Sequence, residues 1–89
     1  MARVAFTANI QRHVQCPPGD YPGRTVREVL DNLFAENSVA RGYVLDDQGG
    51  VRKHMVVFVD GLAVRDRTGL TDAVGENGRI HVMQALSGG

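Results

Sequence analysis

One short segment limits what this chain can fold into more than any other. Val26, Val29, Leu30, Leu33 and Phe34 stand at i, i+3, i+4, i+7 and i+8, with Arg27, Asp31, Asn32 and Glu36 between them. At 3.6 residues per turn this spacing draws a single apolar stripe down one side of a helix, which must lie on one apolar surface. Thr25 is a good N-cap and Glu28, three positions later, completes a capping box. The pattern predicts a helix over 25–37. It ends where Asn37-Ser38 opens an irregular polar stretch that includes Asp46-Asp47-Gln48-Gly49-Gly50. No other segment carries a comparable stripe, so a sheet must supply the surface that this helix covers.

The strands are legible by alternation and by turn residues. Val4, Phe6, Ala8 and Ile10 are spaced by two and predict a strand over 4–10. Gln11-Arg12 is a tight link, from which 13–16 returns as the second strand of a hairpin. The run Pro17-Pro18-Gly19-Asp20-Tyr21-Pro22-Gly23 stops it, since proline cannot donate to a ladder. His54 to Val59 is a continuous apolar run of strand length and predicts a central strand. Asp60-Gly61 turns it into a short partner over 62–64. Residues 69–74 read as a single helical turn or a connector. Asn77-Gly78 marks a turn into a last strand over 79–86, with Ile80 and Val82 on one face and His81, Met83 and Ala85 on the other. The order β-β-α-β-(β)-β defines an α+β chain with a mixed sheet of four to five strands and one main helix. It resembles the β-grasp, or ubiquitin-like, arrangement. A single domain is expected over 1–86, with 87–89 as a flexible C-terminal tail.

Composition excludes several functions. In 89 residues, ten basic and ten acidic side chains cancel with no long run of either sign, which argues against a nucleic-acid surface. No apolar run approaches the roughly 18 residues of a membrane span, and the N-terminus lacks a secretory core. A single cysteine leaves no internal disulfide, so a cytoplasmic location is expected. Cys16 has no base or electropositive setting around it and reads as a small packing residue. His13, His54 and His81 match no ligand spacing, so no metal site is expected. Asp46, Asp47, Asp60, Asp66 and Asp72 fall in turns, where aspartate is a common turn former. Nothing here resembles an assembled active site, and the chain reads as a non-enzyme. Met83 differs: an outward apolar residue six positions from the end of the sequence is a candidate docking contact.

The last strand runs through Ser87 into Gly88-Gly89. Glycine has no Cβ, so such an end fits a channel too narrow for side chains, and residues 87–89 fully extended reach about 10 Å. In this order and before this ending, several short elements resemble the sulfur-carrier family. That family includes the thiamine sulfur carrier and the small subunit of molybdopterin synthase. Thr25-Val26-Arg27-Glu28-Val29-Leu30 is similar to its T-V-x-E-L-L segment. Phe58-Val59-Asp60-Gly61 is similar to its strand-and-turn element, and Glu76-Asn77-Gly78 with Arg79-Ile80-His81-Val82 to its D-G-D-x-V-x-V element. The likeness covers essentially the whole chain. It implies that a ubiquitin-activating-type enzyme adenylates Gly89 with ATP, and that sulfide equivalents from a persulfide displace AMP. The resulting thiocarboxylate then donates sulfur to a synthase in molybdopterin, thiamine or cysteine biosynthesis. Gly89 and Gly88 would carry the chemistry, while Met83, Leu86 and Ser87 would meet the partners. The carrier itself would hold no cofactor, ATP being used by the activating partner. Two departures stand out: Gln84-Ala85-Leu86-Ser87 replaces the family's Pro-Pro-Val or Val-x, and residues 40–53 are long for the thiamine type. The second favours the molybdopterin or cysteine type. Rival readings are a ubiquitin-like modifier joined to lysines through Gly89, and a β-grasp interaction module without sulfur chemistry.

Overall fold

The computed structural model describes residues 1–85, and its first strand is shorter than the alternation predicts. β1 covers Ala2–Phe6; Thr7 is still extended, but Ala8–Gln11 then closes a helical turn, α1. The amides of Ile10 and Gln11 both donate to the Thr7 carbonyl, which swings Ile10 back into the core. Two apolar residues two apart cannot distinguish a strand end from one helical turn. The expected hairpin over 13–16 does not form either. Val14 and Cys16 are buried there in an unpaired segment. The antiparallel partner of β1 is instead β2, Gly19–Tyr21, with Ala2 opposite Tyr21 and Val4 opposite Gly19. Pro17 and Pro18 lack the N–H a ladder needs, so pairing starts after them rather than before.

The main helix forms as the pattern requires. α2 spans Val26–Glu36, and no residue of its stripe is more than 4% exposed. Thr25 Oγ1 accepts from the Glu28 amide at 3.2 Å, and the Glu28 carboxylate accepts from the Arg24 amide at 3.0 Å, one residue ahead of the cap. Asn37 ends this helix and opens another, its side chain accepting from the Ala40 amide at 3.1 Å. That second helix, α3 at Ser38–Val44, replaces the irregular stretch expected there. Its apolar face is only Ala40 and Val44, both buried, which is too short a stripe to read by periodicity.

β3 (Met55–Val59) and β4 (Leu62–Ala63) form a hairpin whose two turn residues, Asp60 and Gly61, both have positive φ, 50° and 86°. Two left-handed residues make the tight turn whose twist matches the strands. β5, Arg79–Gln84, runs parallel to β1 and antiparallel to β3, giving the order β2-β1-β5-β3-β4. The α2 stripe shares one core with Val4, Phe6, Met55, Val57, Ile80 and Val82.

Residues 69–74 form a tethered loop rather than a helical turn, with Leu70 buried and Ala73 bridging Thr25. The Arg27 guanidinium holds this loop by donating to the carbonyls of Gly69 at 3.2 Å, Thr68 at 3.1 Å and Gly49 at 2.6 Å. The Asp66 carboxylate accepts from the Thr71 hydroxyl at 2.7 Å and from the amides of Gly69, Thr68 and Thr71. These bonds, the Thr71 hydroxyl first, hold its carboxyl down to about 2. The Arg65 and Asp66 amides lower Asp72 in the same direction. A depressed folded value means that this clasp stabilises the fold fully above the ordinary aspartate value of about 3.8 and fades as pH falls toward about 2. Titration followed at the Gly69 and Thr71 amides should show a midpoint near 2, absent in Asp66→Asn; a midpoint near 3.8 would contradict the clasp.

Candidate functional site

The helices cover one face of the sheet, and strand alternation turns a second set of side chains the other way. On β3 and β5 these are Val56, Phe58, His81 and Met83. Register sets Val56 against Met83, Phe58 against His81 and Ala63, and Ala5 of β1 against His81 on its other side. The result is an apolar surface of Val56, Phe58, Ala63 and Met83 beside an exposed imidazole, toward the C-terminal end of β5. Met83 is 37% exposed. The opposite end of the same face is charged: Arg3 and Arg79 stand on neighbouring strands, and Arg3 pairs with Asp20 at 3.3 Å across to β2. These three side chains and His81 line a shallow groove of about 530 Å³.

Met83 is therefore placed outward, as the alternation predicts. Leu86, Ser87, Gly88 and Gly89 lie outside the described residues. Val56 and Phe58 join Met83 on the face, although the expectation of a central strand over 54–59 did not say which of its side chains point away from the helix. The missed signal was the helix: a single stripe covers only one face, so every second residue of even an all-apolar strand must point away from it.

The described residues offer no assembled catalytic group. Cys16 is 2% exposed, its thiol donates to the Val14 carbonyl, and burial pushes its pKa up, away from a reactive thiolate. His13 stacks on Tyr43 with ring centroids 5.8 Å apart. No group of three His, Cys, Asp or Glu side chains that could hold a metal ion occurs among the described residues. No helix among them is long and apolar enough to cross a membrane.

Replacing Met83 with Asp tests the apolar face. If Met83 is the docking contact expected from the sequence, its loss should weaken partner binding roughly 5–30-fold, the scale of a modest hot spot. The change on an open sheet face should cost only about 1 kcal/mol of stability. Calorimetric titration with a partner, alongside thermal melts, reads both effects; unchanged affinity would remove Met83 from the interface.

A five-stranded mixed sheet with parallel β1 and β5 at its heart, crossed by one main helix, defines a ubiquitin-like β-grasp protein. No family model and no curated protein matches the chain. Solved structures do. A chain of the Amycolatopsis orientalis BexX/CysO complex superposes with a TM-score of 0.82 at 19% identity, covering 100% of each chain. Small archaeal modifier protein 1 (SAMP1) from Methanosarcina acetivorans gives 0.80 at 18% identity, over 99% of this chain and 95% of the other. CysO from Mycobacterium tuberculosis gives 0.80 at 19% identity, over 97% of this chain and 100% of the other. At such identities the likeness is one of fold, and it extends over the full length of small chains of the same size.

Proposed function

We propose that this protein is a sulfur carrier that works through Gly89. The observation that carries the reading is an uncovered apolar sheet face at the end of β5, directly upstream of a sequence that closes on Gly88-Gly89. Full-length likeness to CysO and SAMP1 structures supports it. So does the occurrence of one such relative in a complex with another protein.

The chemistry asks little of the carrier. A carboxylate is a poor electrophile; joined to AMP from ATP, with pyrophosphate released, it gains a good leaving group. A sulfide equivalent then attacks the Gly89 carbonyl, AMP departs, and a thiocarboxylate remains for transfer to an acceptor synthase. The adenylating enzyme and the synthase supply the catalytic groups. The carrier supplies a docking face and a side-chain-free end narrow enough to enter their pockets. The length of residues 40–53 favours the molybdopterin or cysteine type of acceptor over the thiamine type.

The likeness to SAMP1 favours a second reading, in which Gly89 is conjugated to lysines of other proteins. Intact-mass analysis after incubation with a ubiquitin-activating-type enzyme, ATP and a sulfur donor separates the two. The carrier reading expects the mass gain of one oxygen exchanged for sulfur, and the modifier reading expects covalent conjugates. An unchanged mass with no conjugates would leave a docking module and overturn both.

A further inference from the structure

The inner face of β5 breaks its own pattern at the last step. Ile80 and Val82 are fully buried; the next residue on that side is the amide of Gln84. Its Oε1 accepts from the Tyr43 hydroxyl at 3.1 Å, and Asn9 Nδ2 approaches it at 3.5 Å. Tyr43 is partly buried against the core, and its ring stacks on His13 with 19° between the planes. One residue further on, the Ala85 amide donates to the His54 carbonyl at 2.8 Å. Four separate segments thus converge where the chain leaves the sheet: α1 through Asn9, the following loop through His13, α3 through Tyr43, and the approach to β3 through His54.

Stability does not explain this collar. A half-exposed neutral hydrogen bond nets little once water contacts are exchanged for protein ones. A Leu or Val at position 84 would bury more apolar surface. What the amide provides is direction: a hydrogen bond to a ring already fixed by stacking and packing orients the strand end, which an apolar contact does not.

We infer that Tyr43 is a positioning residue. Acting through Gln84, it fixes the end of β5 up to Ala85, the base from which Gly89 would be presented to the activating enzyme. The inference rests on the sulfur-carrier reading for its function, but its structural half can be measured alone. Tyr43→Phe removes only the hydroxyl and keeps the stack on His13, so the fold is retained.

In ATP–pyrophosphate exchange catalysed by a ubiquitin-activating-type enzyme, Tyr43→Phe should lower kcat about three- to tenfold, the scale of one neutral hydrogen bond. KM for the carrier should not change, because the outer sheet face is untouched. Gln84→Ala should do the same, and the double variant should be no slower than Gln84→Ala, since both act through one bond. In parallel, the backbone order parameter of Ala85 should fall in Tyr43→Phe from the rigid range near ~0.85 toward ~0.6. An unchanged kcat, a rise in KM alone, or losses that multiply in the double variant would overturn the assignment. So would an unchanged order parameter at Ala85, whether or not the wild-type chain supports exchange. A wild-type chain that supports none would instead overturn the sulfur-carrier reading, leaving the order parameter to decide the collar.

Discussion

Removing Gly89 should abolish carrier-dependent ATP–pyrophosphate exchange and leave the thermal melt unchanged. Among the described residues the buried core runs from Ala2 to Val82, well short of residue 89. On the sulfur-carrier reading activation acts on the carboxylate of Gly89, and with Gly89 gone the carboxylate presented is that of Gly88, one residue short. At about 3.3–3.6 Å per residue, the shortfall exceeds the reach over which an in-line attack on the ATP α-phosphate tolerates misplacement. Adding one residue after Gly89 should be equally damaging unless a protease trims it, because the new side chain brings a Cβ into the channel. Gly88→Ala should impair activation for the same steric reason, though less completely. Equal exchange by the intact and the shortened chain would end the sulfur-carrier reading.

Leu30→Ala should strongly destabilise the fold. Leu30 has no exposed surface and lies mid-stripe beneath the sheet, where neighbours on both sides prevent collapse around a void. Such a truncation costs about 2–5 kcal/mol. Against a domain stability of about 5–15 kcal/mol this is a large fraction. At roughly 4–8 °C per kcal/mol for a chain of this size, the melting temperature should fall by at least about 8 °C. Chemical denaturation of both proteins checks it: a loss below about 1 kcal/mol would mean that the stripe is not the centre of the core.

What the sequence made legible, and what it hid, follows from the range over which each signal acts. α2 was readable because five apolar residues over nine positions repeat one period, and its cap is a local motif. β3, β4 and β5 were readable because turn residues frame them. The two helices that were missed, α1 and α3, bury one and two apolar residues of their own respectively, too few to show a period. Their existence depends on tertiary placement: Ile10 and Val44 both sink into the one core shared by the whole domain. β2 was hidden by prolines read as an end when they were a beginning. At the site, Met83 was found because a six-residue alternating strand reports facing directly. Val56 and Phe58 were not, because an unbroken apolar run conceals which half is covered. The collar was invisible for the same reason as its helices, since Asn9 and Tyr43 ride on the two elements without a readable period.

The place of β5 in the sheet has a consequence for synthesis. This strand is the last of the described strands to be synthesised, yet it lies between β1 and β3 and supplies both of them with their central partner. A nascent chain halted before residue 79 holds two strand pairs, β2-β1 and β3-β4, with a gap between them and an apolar helix stripe whose floor is incomplete. Closure of the core therefore waits for residues 79–84, and pairings so distant in sequence form late and slowly. A fragment that stops short cannot acquire the finished sheet face. Folding competence and possession of the strand that leads to the glycines are acquired in the same event.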